Sequence, residues 1–273
     1  MPTVKKQRPK GPRRRSKSSI ASRIQPVSLK DNSIKMNVYG RTGTGKTTFA
    51  CTFPKPLLLV GFEDGTKSVH NVKGVDFIDV RSTDDVKRLV DHVGESSKYK
   101  TVVADTLTGL QDLCLREILE IEKLPAQGSW GMASQQDWSQ CALQTKEYLR
   151  ALLELDANVL ILAQERDFNT DTEGDVVLPY VGAAASPSVT GWLNPACDYV
   201  VQAFIRESTK TKRIKVGKKT VTRQIKSGDV EWCIRTKAHP VYTVKFRVPK
   251  GTELPQFVSD PSYQKILKLI EGN

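Results

Sequence analysis

The sequence predicts an α/β fold, with a mostly parallel β-sheet flanked by helices and an antiparallel extension toward the C-terminus. Three observations predict it. The runs Leu57–Val60, Thr101–Ala104 and Val159–Ala163 are continuously apolar over strand length, the pattern of strands buried on both faces. Helix-type segments separate them, and strands alternating with helices require crossover connections. Beyond Asp167 the style changes to turn signals and short β-type runs.

The elements follow in order. Residues 1–32 hold Pro, Ser, Lys and Arg with hardly any large apolar side chain, so this basic tail cannot offset its own ordering entropy and is expected to be disordered when free. Order begins with the alternating strand Ile34–Tyr39, which feeds Gly40. A helix starts near Thr47 and is closed by Pro54 and Pro56; the strand Leu57–Val60 follows, then a short one at Val75–Val80. Ser82 with Asp85 three residues on reads as a capping box for a helix to about Val93. The strand Thr101–Ala104 ends at Asp105. The next helix carries Leu110, Leu113, Cys114, Ile118 and Ile121 on one face and stops by Pro125 and Gly128. A second helix covers about Gln135 to Leu155, and the strand Val159–Ala163 ends at Gln164. Further β-type runs are Val176–Val181, Asp198–Phe204, Arg213–Val216, Val221–Ile225, Val230–Thr236 and Val241–Val248, before a C-terminal helix from Ser262. The expected organisation is one domain over 33–250, with 206–226 a basic hairpin or loop, and a helical segment over 251–273.

A chain of 273 residues, 38% hydrophobic and 26% charged, reads as an ordinary globular protein. No apolar run approaches the ~20 residues that cross a bilayer, and the basic N-terminus lacks a signal peptide's apolar stretch. The five cysteines are scattered singly and the three histidines are isolated, which argues against zinc ligation, redox pairs and histidine-based catalysis. Buried free thiols in a reducing, cytoplasmic compartment are the expectation; a nuclear or mitochondrial address for the basic tail stays open.

Charge is unevenly placed. Ten Lys/Arg and no acid fall within residues 1–30, accounting for all but two of the net +12 charges. A second run, Arg206 to Lys226, holds nine basic residues against Glu207 alone. Two basic segments on a near-neutral body suit a polyanionic partner, because each neutralised phosphate releases a counterion. A solubilising tail and a solvated hairpin are the alternative.

The chemistry is carried by Gly40, Arg41, Thr42, Gly43, Thr44, Gly45, Lys46 and Thr47, with Thr48 behind them: the full G-x-x-x-x-G-K-[ST] pattern between a strand and a helix start. Its backbone N–H groups can turn around phosphates, Lys46 supplies charge to the β- and γ-phosphates, and Thr47 offers a hydroxyl to Mg²⁺. ATP with Mg²⁺ is therefore the expected ligand. Asp105 projects from the carboxyl edge of the sheet, the place of the Walker B acid that holds Mg²⁺; capping of the next helix is its alternative role. Glu63, past the strand from Leu57, can serve as general base toward the attacking water, or be an ordinary loop acid. Gln164 can sense the γ-phosphate, or simply end its strand.

Taken together and in order, Gly40–Thr47, Glu63, Asp105 and Gln164 resemble a RecA-type ATPase core. More narrowly, the phrases Tyr39–Thr48, Pro56–Glu63, Thr101–Gly109, Asp137-Trp138 and Val159–Glu165 are similar to phage-encoded RecA-like proteins of the AAA-family ATPase type, some of which anneal single strands. The likeness covers residues 34 to about 250. It implies a DNA-stimulated, Mg²⁺-dependent ATPase, with Lys46 and Thr47 on phosphate and Mg²⁺, Asp105 as the Mg²⁺-associated acid, Glu63 as base and Gln164 as sensor. It also implies DNA-facing loops near 122–135 and 165–190, the second holding Arg166 and Gly182–Ser186. Lys245 and Arg247 resemble the paired cations that RecA-like proteins insert into a neighbour's nucleotide; alternation alone also puts both on one solvated strand face. The implied partners are single-stranded DNA, further copies of the chain and a single-stranded DNA-binding protein, in the host cytoplasm for a phage-encoded chain. The sequence departs from the family in having no Glu after Asp105, no recognisable subunit tether and no separate C-terminal domain. Trp130 and Trp138 are candidates for base stacking or, for Trp138, core. The rival readings are a ring-forming helicase or packaging motor, a small-molecule P-loop kinase with Arg206–Lys226 as its lid, and a nucleotide-gated binding module.

Overall fold

A central strand, β1 (Lys35–Tyr39), hydrogen-bonds to parallel neighbours on both sides, β5 (Asn158–Ala163) and β8 (Tyr199–Val216). The computed structural model describes residues 33–62, 72–96, 98–121, 133–168, 179–216 and 219–272, with backbone alone for 209–227. Outward from β5 the sheet continues in parallel through β4 (Thr101–Asp105), β2 (Leu57–Gly61) and β3 (Val75–Asp79). Outward from β8 it turns antiparallel through β9 (Lys219–Arg235) and β11 (Phe257–Ser259), with β10 (Lys245–Phe246) also on β8. The strand order is β11-β9-β8-β1-β5-β4-β2-β3. The expected α/β P-loop fold, parallel in the middle and antiparallel at its C-terminal side, is met.

Alternation along the strands builds two core layers. Tyr39, Val60, Val102, Ala104, Val159 and Ile161 face α2 (Thr83–Ser96), α3 (Leu107–Ile118), α4 (Gln135–Leu153) and α5 (Pro187–Ala196). Met36, Val38, Leu59, Val103, Leu160 and Leu162 face α1 (Lys46–Ala50), through Phe49 and Ala50, and α6 (Tyr263–Glu271), through Ile266. Runs such as Val159–Ala163 are continuously apolar because both layers need them.

The helix starts are chemically set. The Ser82–Asp85 box is present, with Asp85 N–H on Ser82 Oγ at 3.2 Å and Ser82 N–H on Asp85 Oδ2 at 3.1 Å. Ser134 and Asp137 form a second box at α4. All five cysteines are free and buried, as expected. Among the described residues no helix is long and apolar enough to cross a membrane.

Several expectations need correction. The four β-type runs between Asp198 and Thr236 are two long strands, β8 and β9, paired as one ribbon whose outer half contains the basic 206–226 segment. The run Val241–Val248 shrinks to the two-residue β10, because Tyr242 makes only an isolated bridge to Val181. Within the DNA-facing segment expected over 165–190, β6 (Glu165–Phe168) is an added strand that pairs with β7 (Tyr180–Ala183), which overlaps the expected run Val176–Val181, and the start of α5, with Pro at its first turn, is unanticipated. The C-terminal segment is tied to the domain, since β11 extends the sheet and Ile266 is fully buried. The tail 1–32, Glu63, Trp130, the helix stop at Pro125 and Gly128 and most of the first DNA-facing loop lie outside the described residues.

Candidate nucleotide-binding site

The loop after β1 leaves the carboxyl edge of the sheet at its most constrained point. Gly40 N–H donates to Ala163 O of β5 at 3.2 Å, while a Cβ at Gly40 would stand 2.1 Å from Ala203 O of β8. Only glycine fits between the two strands. At the far end Gly45 takes φ 79° as it enters α1, a left-handed conformation that costs other residues strain.

Between these glycines the loop closes around its own lysine. Lys46 is 7% exposed, and its Nζ donates to Gly40 O at 2.8 Å, to Arg41 O at 2.9 Å and, longer, to Gln164 Oε1 at 3.4 Å. Thr44 Oγ1 donates to Arg41 O at 2.8 Å, and Thr42 Oγ1 lies 3.4 Å from Gln164 Oε1. Gln164, at the tip of β5, is thus brought to the loop as its strand position predicted.

Thr47 Oγ1 donates to Asp105 Oδ2 at 2.8 Å. Asp105 is held at the tip of β4, joined to Thr106 by a cis peptide bond. The alternative role for Asp105, capping α3, belongs to Thr106, whose Oγ1 accepts from Gly109 N–H at 3.2 Å. A hydroxyl and a carboxylate side by side are hard oxygen donors of the kind Mg²⁺ takes in small number, leaving its other positions to phosphate and water. Among the described residues no cluster of three or more His, Cys, Asp or Glu offers an all-protein metal cage.

These groups open on a cavity of about 780 Å³. Its walls include Thr42 to Thr48, Asp105 and Gln164, together with residues that sequence reasoning missed: Trp232 and Ile234 of β9, Asp260 beyond β11, and Phe77 of β3. Trp232 and Ile234 share one face of an alternating strand, which is the only local signal they give.

The model of the AAA domain family matches residues 32–247, most of the chain. The chain belongs to the AAA domain family. A KaiC-like protein from the hyperthermophilic archaeon Pyrococcus horikoshii OT3 is similar in structure, with 15% identity over 83% of this chain and 88% of that one and a TM-score of 0.39. No curated protein matches the chain.

In this AAA domain a polar chain leads from the loop toward the ribbon. Arg41 Nε pairs with Glu165 Oε1 at 2.6 Å, Gln202 Nε2 donates to Glu165 Oε2 at 3.3 Å, and Arg235 Nε donates to Gln202 Oε1 at 3.1 Å. The Glu165 hydrogen bond raises the Arg41 pKa further above its ordinary value.

Lys245 and Arg247 are engaged elsewhere within the AAA domain. Lys245 Nζ donates to the carbonyls of Asn194, Pro195 and Cys197 at 3.2, 2.9 and 2.6 Å, where α5 ends, and partial burial lowers its pKa. Arg247 pairs with Asp198 at the start of β8. Only Lys245 lies in a strand, so the alternating face expected to present both is not formed. Arg166 stands over the Phe168 ring at 5.7 Å, and Phe168 stacks on Tyr180 in the β6–β7 hairpin.

Proposed function

We propose that this AAA domain binds ATP with Mg²⁺, hydrolyses it, and acts on single-stranded DNA as a RecA-like homo-oligomer in recombination, strand annealing or replication of phage type. The observation that carries the nucleotide reading is the 2.8 Å contact between Thr47 and Asp105 beside the loop that encloses Lys46. The hydroxyl and carboxylate are a fitting pair of protein ligands for Mg²⁺, which when bound neutralises charge on the phosphate oxygens. Lys46 places a fixed cation inside the loop, and Gln164, 3.4 Å from Lys46 Nζ and next to the start of β6, is the proposed γ-phosphate sensor. Glu63 is the proposed base. Lys245 and Arg247 retain the proposed trans-acting role only if a neighbouring subunit draws them from their present partners.

The DNA reading is supported by charge. The ribbon of β8 and β9 carries most of the second basic run, and a polyanion neutralised by such a run releases its counterions. The test is ATP turnover by the full chain with and without single-stranded DNA, in wild type and Lys46→Ala. Stimulation by DNA that vanishes in the variant is expected, with strand annealing but no unwinding. Turnover indifferent to DNA and dependent on a small metabolite would replace this reading with the kinase, and processive unwinding would replace it with the ring motor.

A further inference from the structure

The phosphate-binding loop occupies only part of the cavity. Past Thr48 the wall includes Trp232, Ile234, Asp260 and Pro261, with Thr52 just beyond α1. None of these is needed to hold phosphate. We propose that they form the nucleobase subsite, with Trp232 as the stacking platform and Asp260 as the group that selects adenine. The inference rests on the nucleotide reading above and adds which residues hold the base, and which base they prefer.

Trp232 has an unusual setting for a large apolar side chain. It is 44% exposed, while Ile234, two residues on along the same strand face, is 1% exposed in the core. The indole therefore stands where the covered part of the sheet gives way to the open cavity. It is not loose there: Trp232 Cδ1 would be 3.2 Å from a Cβ at Gly45, and its Nε1–H points to Gly43 O at 3.4 Å. A flat ring fixed at the lip of a phosphate loop can give a purine the aromatic contact that offset stacking requires. Stacking alone does not distinguish purines.

Asp260 supplies the distinction. It sits at φ 45°, a left-handed conformation uncommon outside glycine, which the surroundings hold in place. Asp260 N–H donates to Trp232 O at 2.8 Å, and Lys265 Nζ donates to Asp260 O at 2.9 Å. The turn is locked to the loop's own helix as well, since Tyr263 N–H donates to Thr52 Oγ1 at 2.9 Å and Tyr263 packs on Phe53. Trp232 and Asp260 are thus one unit joined through the main chain. Among the described residues the Asp260 carboxylate makes no side-chain hydrogen bond of its own. With the base held so that its six-position substituent faces Asp260, the carboxylate accepts from the exocyclic amine of adenine and is repelled by the carbonyl oxygen of guanine, whose own donors at N1 and N2 lie further round the ring.

The test is equilibrium binding of ATP, GTP and inorganic tripolyphosphate to the full chain in wild type, Trp232→Ala, Trp232→Phe, Asp260→Ala, Phe77→Ala and Lys46→Ala. Trp232→Ala is expected to weaken ATP by about 10- to 100-fold, from the usual worth of one aromatic stack, and to leave tripolyphosphate binding unchanged. Trp232→Phe should recover most of the loss, and Asp260→Ala should bring GTP to within a few-fold of ATP. Equal weakening of ATP and tripolyphosphate by Trp232→Ala would overturn the proposal, because the indole would then only brace the loop. Unaltered ATP binding in Trp232→Ala would overturn it too, as would loss of base discrimination in Phe77→Ala alone, which would put the base at the β3 end of the cavity. Folded wild type that binds neither ATP nor tripolyphosphate would remove the nucleotide reading and this inference together, whereas tripolyphosphate binding lost only in Lys46→Ala keeps that reading whatever Trp232 does.

Discussion

Thr47 and Asp105, 58 positions apart in the chain, share a hydrogen bond of 2.8 Å at the carboxyl edge of the sheet. Their meeting depends on β5 lying between β1, which leads into the loop and α1, and β4, which ends in Asp105. Asp105→Asn keeps an acceptor for Thr47 but removes the negative charge. It is expected to bind nucleotide and to lose on the order of 100-fold in turnover, the scale on which single charge-stabilising groups act. Calorimetric binding alongside steady-state hydrolysis checks it; unchanged turnover would take Asp105 out of the chemistry.

Two glycines give opposite expectations. Gly40→Ala drives a methyl group to 2.1 Å from a β8 carbonyl, so the strands must separate, and a loss of about 2 kcal/mol or more is expected, as for overpacked cores. Gly94, within α2, has nothing near its Cβ position, so Gly94→Ala is expected to stabilise by up to ~1 kcal/mol through helix propensity. Urea unfolding of both variants measures the two signs.

Lys245 holds three carbonyls at the end of α5. Lys245→Ala is expected to cost roughly 1–2 kcal/mol in stability, the scale of a cation at a helix C-terminus. A thermal melt paired with a turnover assay separates the roles: a steep loss of turnover at unchanged melting temperature would favour the trans-acting cation.

Alkaline pH should unfold the protein earlier than its surface charge suggests. Burial pushes the Cys114 and Cys197 thiols up to about 12, that of Cys141 up to about 11 and the Tyr199 hydroxyl up to about 12. A folded pKa above the unfolded one means the native state keeps the proton more tightly. Its stability is complete below the ordinary thiol value near 9 and is lost as pH rises toward the folded values. Urea midpoints at pH 7, 9 and 10.5 are expected to fall only in the upper interval, with a smaller fall in Cys197→Ala. A flat profile would contradict the burial of these groups.

Removing residues 1–30 takes away ten cations. The slope of log binding constant against log salt for single-stranded DNA is expected to flatten in the truncated chain. An unchanged slope would leave the ribbon as the sole basic contact.

The loop, the Ser82–Asp85 capping box and the buried strands were legible because each is written in neighbouring residues: spacing for Gly40–Thr47, a three-residue offset for Ser82 and Asp85, continuous hydrophobicity for Val159–Ala163. Asp105 and Gln164 were legible because a strand end has a known side of the sheet. Trp232 and Asp260 were not, since the place of Trp232 beside Gly45 comes from β9 pairing with β8 and β8 with β1, and that of Asp260 from β11 pairing with β9, relations no local pattern encodes. The helix α5 was hidden by Gly191 and Pro195, both helix-unfavourable, and is held by the buried Val189 and Leu193. The ribbon read as fragments because Thr, Lys and Arg interrupt the few apolar residues of its outer half, Ile214, Val216, Val221 and Ile225, in the sequence.

The pairing of β1 with β8, Met36 to Tyr199 through Tyr39 to Gln202, makes one plank of the strand that ends in the phosphate loop and the strand that runs on past it. Beyond Gln202, β8 continues to Val216, a reach of roughly 45 Å at about 3.3 Å per residue. A tilt of about 5° at the loop would carry the far end through roughly 4 Å over that reach. Because β1 and β8 are hydrogen-bonded side by side, any rotation of β1 at the Gly40–Thr47 loop would displace the far end of β8 most.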